Sequence, residues 1–193
     1  MQKPARAAAL VLALLLIWVS PAYAGSPDEV VTEWVRSWDA PWLHAVGRMG
    51  EAPMYLATLT LLATSGEGET AVQVLEAIGG AAAVTWTGKV LLGRALPYAG
   101  EGSSSWAGPS LDSAHHSFPS GHASSAFALA TVLAGQYPKW AAAWYVIASG
   151  VAVSLVYEGY HWPTDVIAGA VVGHLAGRAV VEGRPWLSFR WDF

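Results

Sequence analysis

Five apolar segments of helical length govern what this chain can fold into. They cover residues 53–65, 71–93, 120–137, 140–157 and 164–181. The first two are joined by the acidic turn GEGE (66–69), and the third and fourth meet at YPK (137–139), so these neighbours run antiparallel. No strand-like alternation extends beyond a few residues. The predicted fold is therefore all-α, a bundle of about five core helices. In the last segment Gly169, Gly173 and Gly177 recur every four residues, a spacing that lets a neighbouring helix approach closely. Hydrophobic residues make up 54 % of the chain and charged residues 12 %, against about 25 % charged in an ordinary soluble protein. A membrane-embedded bundle is expected, with a compact soluble helical bundle as the alternative.

The N-terminus supports export. Lys3 and Arg6 precede an apolar run from Ala7 to Val19, and SPAYA-G offers a small-residue cleavage site after Ala24. That run is short for a span, which takes about 20 residues, so residues 1–24 read as a signal peptide or a retained anchor. Either way the following residues begin outside the cytoplasm. Residues 25–52 form an amphipathic segment. Trp34, Trp38 and Trp42 recur every four residues, with Pro41 expected to bend it. Such a stripe suits a membrane surface or a helical core equally. Residues 53–193 form the main domain. Trp140, Trp186 and Trp191 fall near predicted helix ends, and Lys139, Arg184 and Arg190 fall on one side, as a membrane boundary and its cytoplasmic face require.

Several function classes are excluded early. The chain has no cysteine, so thiolate chemistry and disulfides are absent. A net charge of −4 argues against nucleic acid as partner. No His/Asp/Glu grouping has zinc-binding spacing, and no cofactor is called for. His44, His115, His116 and His174 are read as loop, packing or solvent residues.

Chemistry concentrates in three polar clusters. Lys89 and Arg94 close the second apolar segment, PSGH (119–122) opens the third, and YEGYHWPTD (157–165) separates the fourth from the fifth. Antiparallel helices place all three at the same end of the bundle. In PSGH, Ser120 can cap a helix, Gly121 lets backbone amides approach an anion, and the helix N-terminus adds partial positive charge. His122 in the first turn can donate a proton to a leaving group. In HWPTD, Pro163 suits a first helical turn. Asp165 can hold one nitrogen of His161 and free the other as nucleophile or base. The long connection 97–119, rich in Gly, Ser and Pro, marks a functional or disordered loop.

Lys89, Pro97, PSGH and the S-x6-H-x3-D pattern of Ser154, His161 and Asp165 together resemble the type 2 phosphatidic acid phosphatase superfamily, over roughly residues 53–181. That superfamily spans lipid phosphatases, undecaprenyl-diphosphate phosphatases, bacterial acid phosphatases and vanadium haloperoxidases. The resemblance implies that His161 attacks phosphorus to form a phosphohistidine, Asp165 orients it and His122 protonates the leaving oxygen. Lys89, Ser120 and Gly121 would bind the phosphate, with no metal. The substrate would be a phosphorylated lipid or small phosphoester, met at a cell membrane with the site facing outward or, for a cleaved soluble form, in the periplasm. Neither the particular ester nor an oligomeric state is encoded in these motifs.

Two positions depart from the pattern. Where the superfamily has K-x6-R-P and S-R-x5-H-x3-D, this chain has Leu96 and Leu155 in place of the arginines. An arginine fork is the usual device for gripping phosphoryl oxygens, and leucine donates nothing. Arg94, two residues before Leu96, is the candidate substitute. A phosphotransferase, a catalytically weak phosphate-binding or lipid-binding member and an oxidative vanadate enzyme are therefore the alternatives to a phosphatase.

Overall fold

The computed structural model describes residues 25–184; the signal or anchor, Trp186, Arg190 and Trp191 lie outside them. Seven α-helices follow one another: α1 (Pro27–Arg36), α2 (Leu43–Gly47), α3 (Ala52–Thr64), α4 (Gly68–Leu92), α5 (Gly121–Gln136), α6 (Ala141–Tyr157) and α7 (Pro163–Val181). The last five coincide with the five apolar segments to within a few residues. Among the described residues the only extended pairing is a single antiparallel bridge between Arg94 and Trp106.

Helix α5 is central and packs against α4, α6 and α7, most extensively against α7. The glycine row explains that intimacy. A Cβ on Gly169 would lie 2.4 Å from the Ser120 carbonyl oxygen, and one on Gly173 would lie 2.0 Å from that of Ser124. One apolar cluster, around Val35, Ala126, Val151 and Val166, joins α1, α5, α6 and α7. A second, around Leu62, Val74, Val132 and Val180, joins α3, α4, α5 and α7.

Outward faces are apolar as well: Leu56, Leu61, Leu75, Val146, Ile167 and Val171 are all exposed. The stretch Pro138–Tyr157 and helix α7 are long and apolar enough to cross a membrane. A helix of about 20 residues spans the roughly 30 Å of a hydrocarbon core.

The amphipathic segment divides as α1, a turn and α2. Helix α1 begins with a capping box between Ser26 and Glu29 and stops at Ser37, before the expected bend, so Pro41 lies in the turn itself. Of the tryptophan stripe, Trp38 packs on the first cluster, while Trp34 and Trp42 are exposed.

The long connection is ordered. Gly93 ends α4 at φ +58°, with the Gly108 carbonyl pressed where a Cβ would stand. The loop then returns across the helix ends, tied by Ala107 N–H to Gly93 O (2.8 Å), Ser110 N–H to Val90 O (2.9 Å) and Ser117 N–H to Arg94 O (3.0 Å). It thereby closes the end of the bundle that carries the polar clusters.

Candidate active site

A cavity of about 960 Å³ opens at that end, and Lys89, Gly121, His122 and His161 all line it. Each is placed by a helix terminus. Lys89 stands in the last turn of α4, where its ammonium donates to the His116 carbonyl. Ser120 caps α5 by accepting from Ala123 N–H at 3.3 Å. That cap leaves the first backbone amides of α5 unpaired within the helix and holds His122 exposed in the first turn. A Cβ on Gly121 would come within 3.9 Å of Lys89 Cε, so the start of α5 and the lysine share one corner. His161 sits in the short link between α6 and α7, its N–H bonded to the Leu155 carbonyl at 3.2 Å.

Asp165, fully buried on the first turn of α7, lies behind His161. His161 Nδ1 is 3.6 Å from Asp165 Oδ2, beyond hydrogen-bond length, and this buried nitrogen has no other partner. The same Oδ2 accepts from Trp162 N–H at 2.9 Å and from the Ser117 hydroxyl. His161 itself lines the cavity. Burial pushes the His161 imidazole below its usual range, against the opposing pull of Asp165. Burial thus favours the neutral form of the ring.

Two residues expected to grip phosphate stand elsewhere. Ser120 is fully buried and outside the cavity wall, its N–H bonded to the Asp165 carbonyl at 3.0 Å. Arg94 requires a correction: it is 3 % exposed and absent from the cavity wall. Its Nε and Nη2 donate to the Ser103 carbonyl (2.9 and 2.7 Å), Nη2 also to Asp28 (2.6 Å), and Nη1 to Thr164 Oγ1 (2.7 Å) and Asp165 Oδ1 (2.5 Å). These contacts use all five guanidinium N–H donors, so none remains for a substrate. Leu96 and Leu155, by contrast, do line the cavity.

Several residues given no role from sequence also belong here. Arg48, in the turn between α2 and α3, lines the cavity with Glu51, His44 and His116. Arg48 and Lys89 are the arginine and lysine of its wall among the described residues, which they share with Glu51 and Glu158; burial lowers the pKa of the Lys89 ammonium to about 8. Glu158 is paired with His44 at 3.0 Å. Nothing in the local sequence around Arg48 signals this, because α2 and α3 are brought over the site only by packing. Ser117 lies in the long connection 97–119, in which the sequence assigned it no particular role. His115 instead faces Glu101 and Asp112, and His174 hydrogen-bonds Thr131 and Tyr145 far along the bundle.

Residues 70–188 match the PAP2 superfamily model, more than half of the chain. The chain belongs to the PAP2 superfamily. It is 41 % identical over 68 residues to a lipid A 1-phosphatase of Porphyromonas gingivalis, a match covering 33 % of this chain and 15 % of that relative. The chain thus spans only a small part of the curated relative's length. Among superfamily structures, Aquifex aeolicus LpxE superposes with a TM-score of 0.69 at 20 % identity, over 83 % of this chain and 98 % of that one. A transmembrane PAP2 type phosphatidylglycerolphosphate phosphatase from Bacillus subtilis superposes with a TM-score of 0.60 at 21 % identity, over 95 % of this chain and 96 % of that one. At these identities the superpositions establish the shared helical fold.

Proposed function

We propose that this protein is a membrane lipid phosphatase that works through a phosphohistidine on His161. The observation carrying the reading is the single cavity that gathers Lys89, the start of α5, His122 and His161, with Asp165 buried behind the last. Nε2 of His161 attacks phosphorus as the ester P–O bond breaks, and protonated His122 gives its proton to the leaving oxygen. Asp165 offsets the positive charge that develops on the phosphorylated ring. Water then attacks the P–N bond, giving a proton to His122 and releasing phosphate. Lys89, Arg48 and the free amides at the start of α5 supply positive potential for the phosphoryl oxygens.

A lipid ester fits this site for two reasons. The cavity descends from Lys89 past Thr85 to Ala82 on α4, beside Tyr55 on α3, a depth of about 10 Å at 1.5 Å per residue, so an acyl chain could follow the phosphate. The relatives named above also act, by their names, on phosphorylated lipids. The export-type N-terminus supports an orientation with this end of the bundle on the outer side of the membrane.

The cavity-facing Leu96 and Leu155 favour a second reading, a phosphate-binding member with weak turnover. Phosphate release by the detergent-solubilised protein, from phosphatidate, a prenyl diphosphate and an aryl phosphate, separates the two. Turnover lost in His161→Ala is expected. Equal release by wild type and His161→Ala would overturn the catalytic reading.

A further inference from the structure

Behind the His161–Asp165 pair lies a second layer of charge that the mechanism above leaves unused. Asp28, on the first turn of α1, is buried, and both of its oxygens are occupied. Oδ1 accepts from Thr164 N–H at 2.9 Å; Oδ2 accepts from the Thr164 hydroxyl at 2.6 Å and from Arg94 Nη2 at 2.6 Å. Arg94 reaches Asp165 Oδ1 with its other terminal nitrogen. Its guanidinium carbon also lies 5.1 Å from the Trp106 ring centre and 6.0 Å from that of Trp162. One buried cation therefore bridges two buried carboxylates from opposite ends of the chain. The neighbouring Glu29 fastens the same turn of α1 to the long loop, accepting from Ser103 N–H at 2.9 Å.

The second carboxylate has a physical purpose. A guanidinium paired with Asp165 alone would fix that side chain but cancel the negative charge His161 needs behind it. Sharing the guanidinium with Asp28 keeps the geometric grip and returns negative potential to Asp165. Asp28 also lies outside residues 70–188, the stretch that matches the superfamily model.

We propose that Asp28 and Arg94 are positioning residues for the nucleophile: Arg94 fixes the rotamer of Asp165, and Asp28 holds Arg94 in place while balancing its charge, so that Asp165 remains an effective acceptor for His161 Nδ1. The proposal rests on the catalytic reading of His161. The other ionisable groups acting on His161 are Lys89 on α4 and His122 on α5, and neither is altered in the test.

Charge predicts opposite effects for the two partners. Asp28→Asn leaves Arg94 unbalanced, so the proton affinity of His161 falls; Arg94→Gln leaves Asp165 uncompensated, so it rises. Each shift should be roughly half a unit or more, given the effect of nearby charges on a buried group. The direct readout is ¹⁵N NMR titration of the histidine rings in the full chain in detergent micelles, with His161 assigned from His161→Ala. Aryl phosphate hydrolysis supplies the second readout. Both variants should lose about tenfold or more in kcat, the scale of a misoriented reacting group, with KM within about twofold because neither residue lines the cavity. Arg94→Lys should bring the His161 titration back toward wild type while kcat stays reduced, since an ammonium cannot reproduce the fork.

Unchanged His161 titration in both variants, or shifts in the same direction, would overturn the proposal. If Arg94→Gln does not fold, the near-isosteric Asp28→Asn decides alone: a downward shift supports the tie and no shift removes it. Opposite shifts without His161-dependent hydrolysis would uphold the tie and reject the catalytic reading. Hydrolysis that depends on His161 but no shift would do the reverse.

Discussion

Arg94 and Leu96 stand two residues apart and serve different ends. The arginine turns into the protein because two buried carboxylates, the Ser103 carbonyl and the Thr164 hydroxyl together satisfy its whole fork, whereas the leucine faces the cavity. Compensation for the missing superfamily arginines therefore does not come from Arg94. The remaining cations at the cavity wall are Lys89 and Arg48, with the carboxylates of Glu51 and Glu158 nearby. The cavity wall thus carries fewer guanidinium forks than the superfamily pattern. Restoring them in Leu96→Arg with Leu155→Arg should raise kcat/KM on a phosphomonoester by about 10²-fold or more, the scale of one charge-stabilising donor in a transition state. Steady-state phosphate release checks this. No gain would mean that Arg48 and Lys89 already fill the place of the clamp.

At the scale of elements, the α5–α7 contact holds the two histidines in register. His122 stands in the first turn of α5, His161 lies two residues before α7, and the glycine row lets the two helices approach until Gly173 touches the Ser124 carbonyl. Gly173→Ala places a methyl group 2.0 Å from that oxygen. Forced overpacking of this kind costs about 1–3 kcal/mol. Gly79→Ala, on α4 with nothing within 4 Å of the new atom, should instead be neutral or stabilise by up to about 1 kcal/mol. Thermal unfolding in detergent separates them: a lower midpoint for Gly173→Ala only. Equal midpoints would show that the helices can part without loss. Helix α1 shows the limit of reading elements from periodicity. Its tryptophan spacing is helical through Trp42, yet the helix stops at Ser37. Burial of Trp38 against the core and docking of Asp28 and Glu29 on the opposite end fix where it turns.

For the whole molecule, the two apolar helices and the exposed leucines and valines of the outer surface define a body suited to lipid. The expressed protein should sediment with membranes and resist high salt and alkaline carbonate, leaving only with detergent. Recovery in the soluble fraction would favour the compact extracytoplasmic bundle. The five core helices were legible because long apolar runs are bounded by Gly, Pro and polar turns, and such boundaries are local properties of the chain. The convergence of Lys89, PSGH and HWPTD was legible too, since antiparallel connection alone brings those ends together.

The helices, their antiparallel order and the end at which titratable residues collect can be read along the chain, because each depends on neighbours a few residues apart. Which charges face the cavity is settled by packing. Arg48 enters it and Arg94 leaves it because of contacts with partners distant in the chain. Ser117 directly, and Asp28 through Arg94, reach Asp165 behind His161 for the same reason. A buried charge goes where its hydrogen bonds can be completed, and that place exists only once the helices have packed.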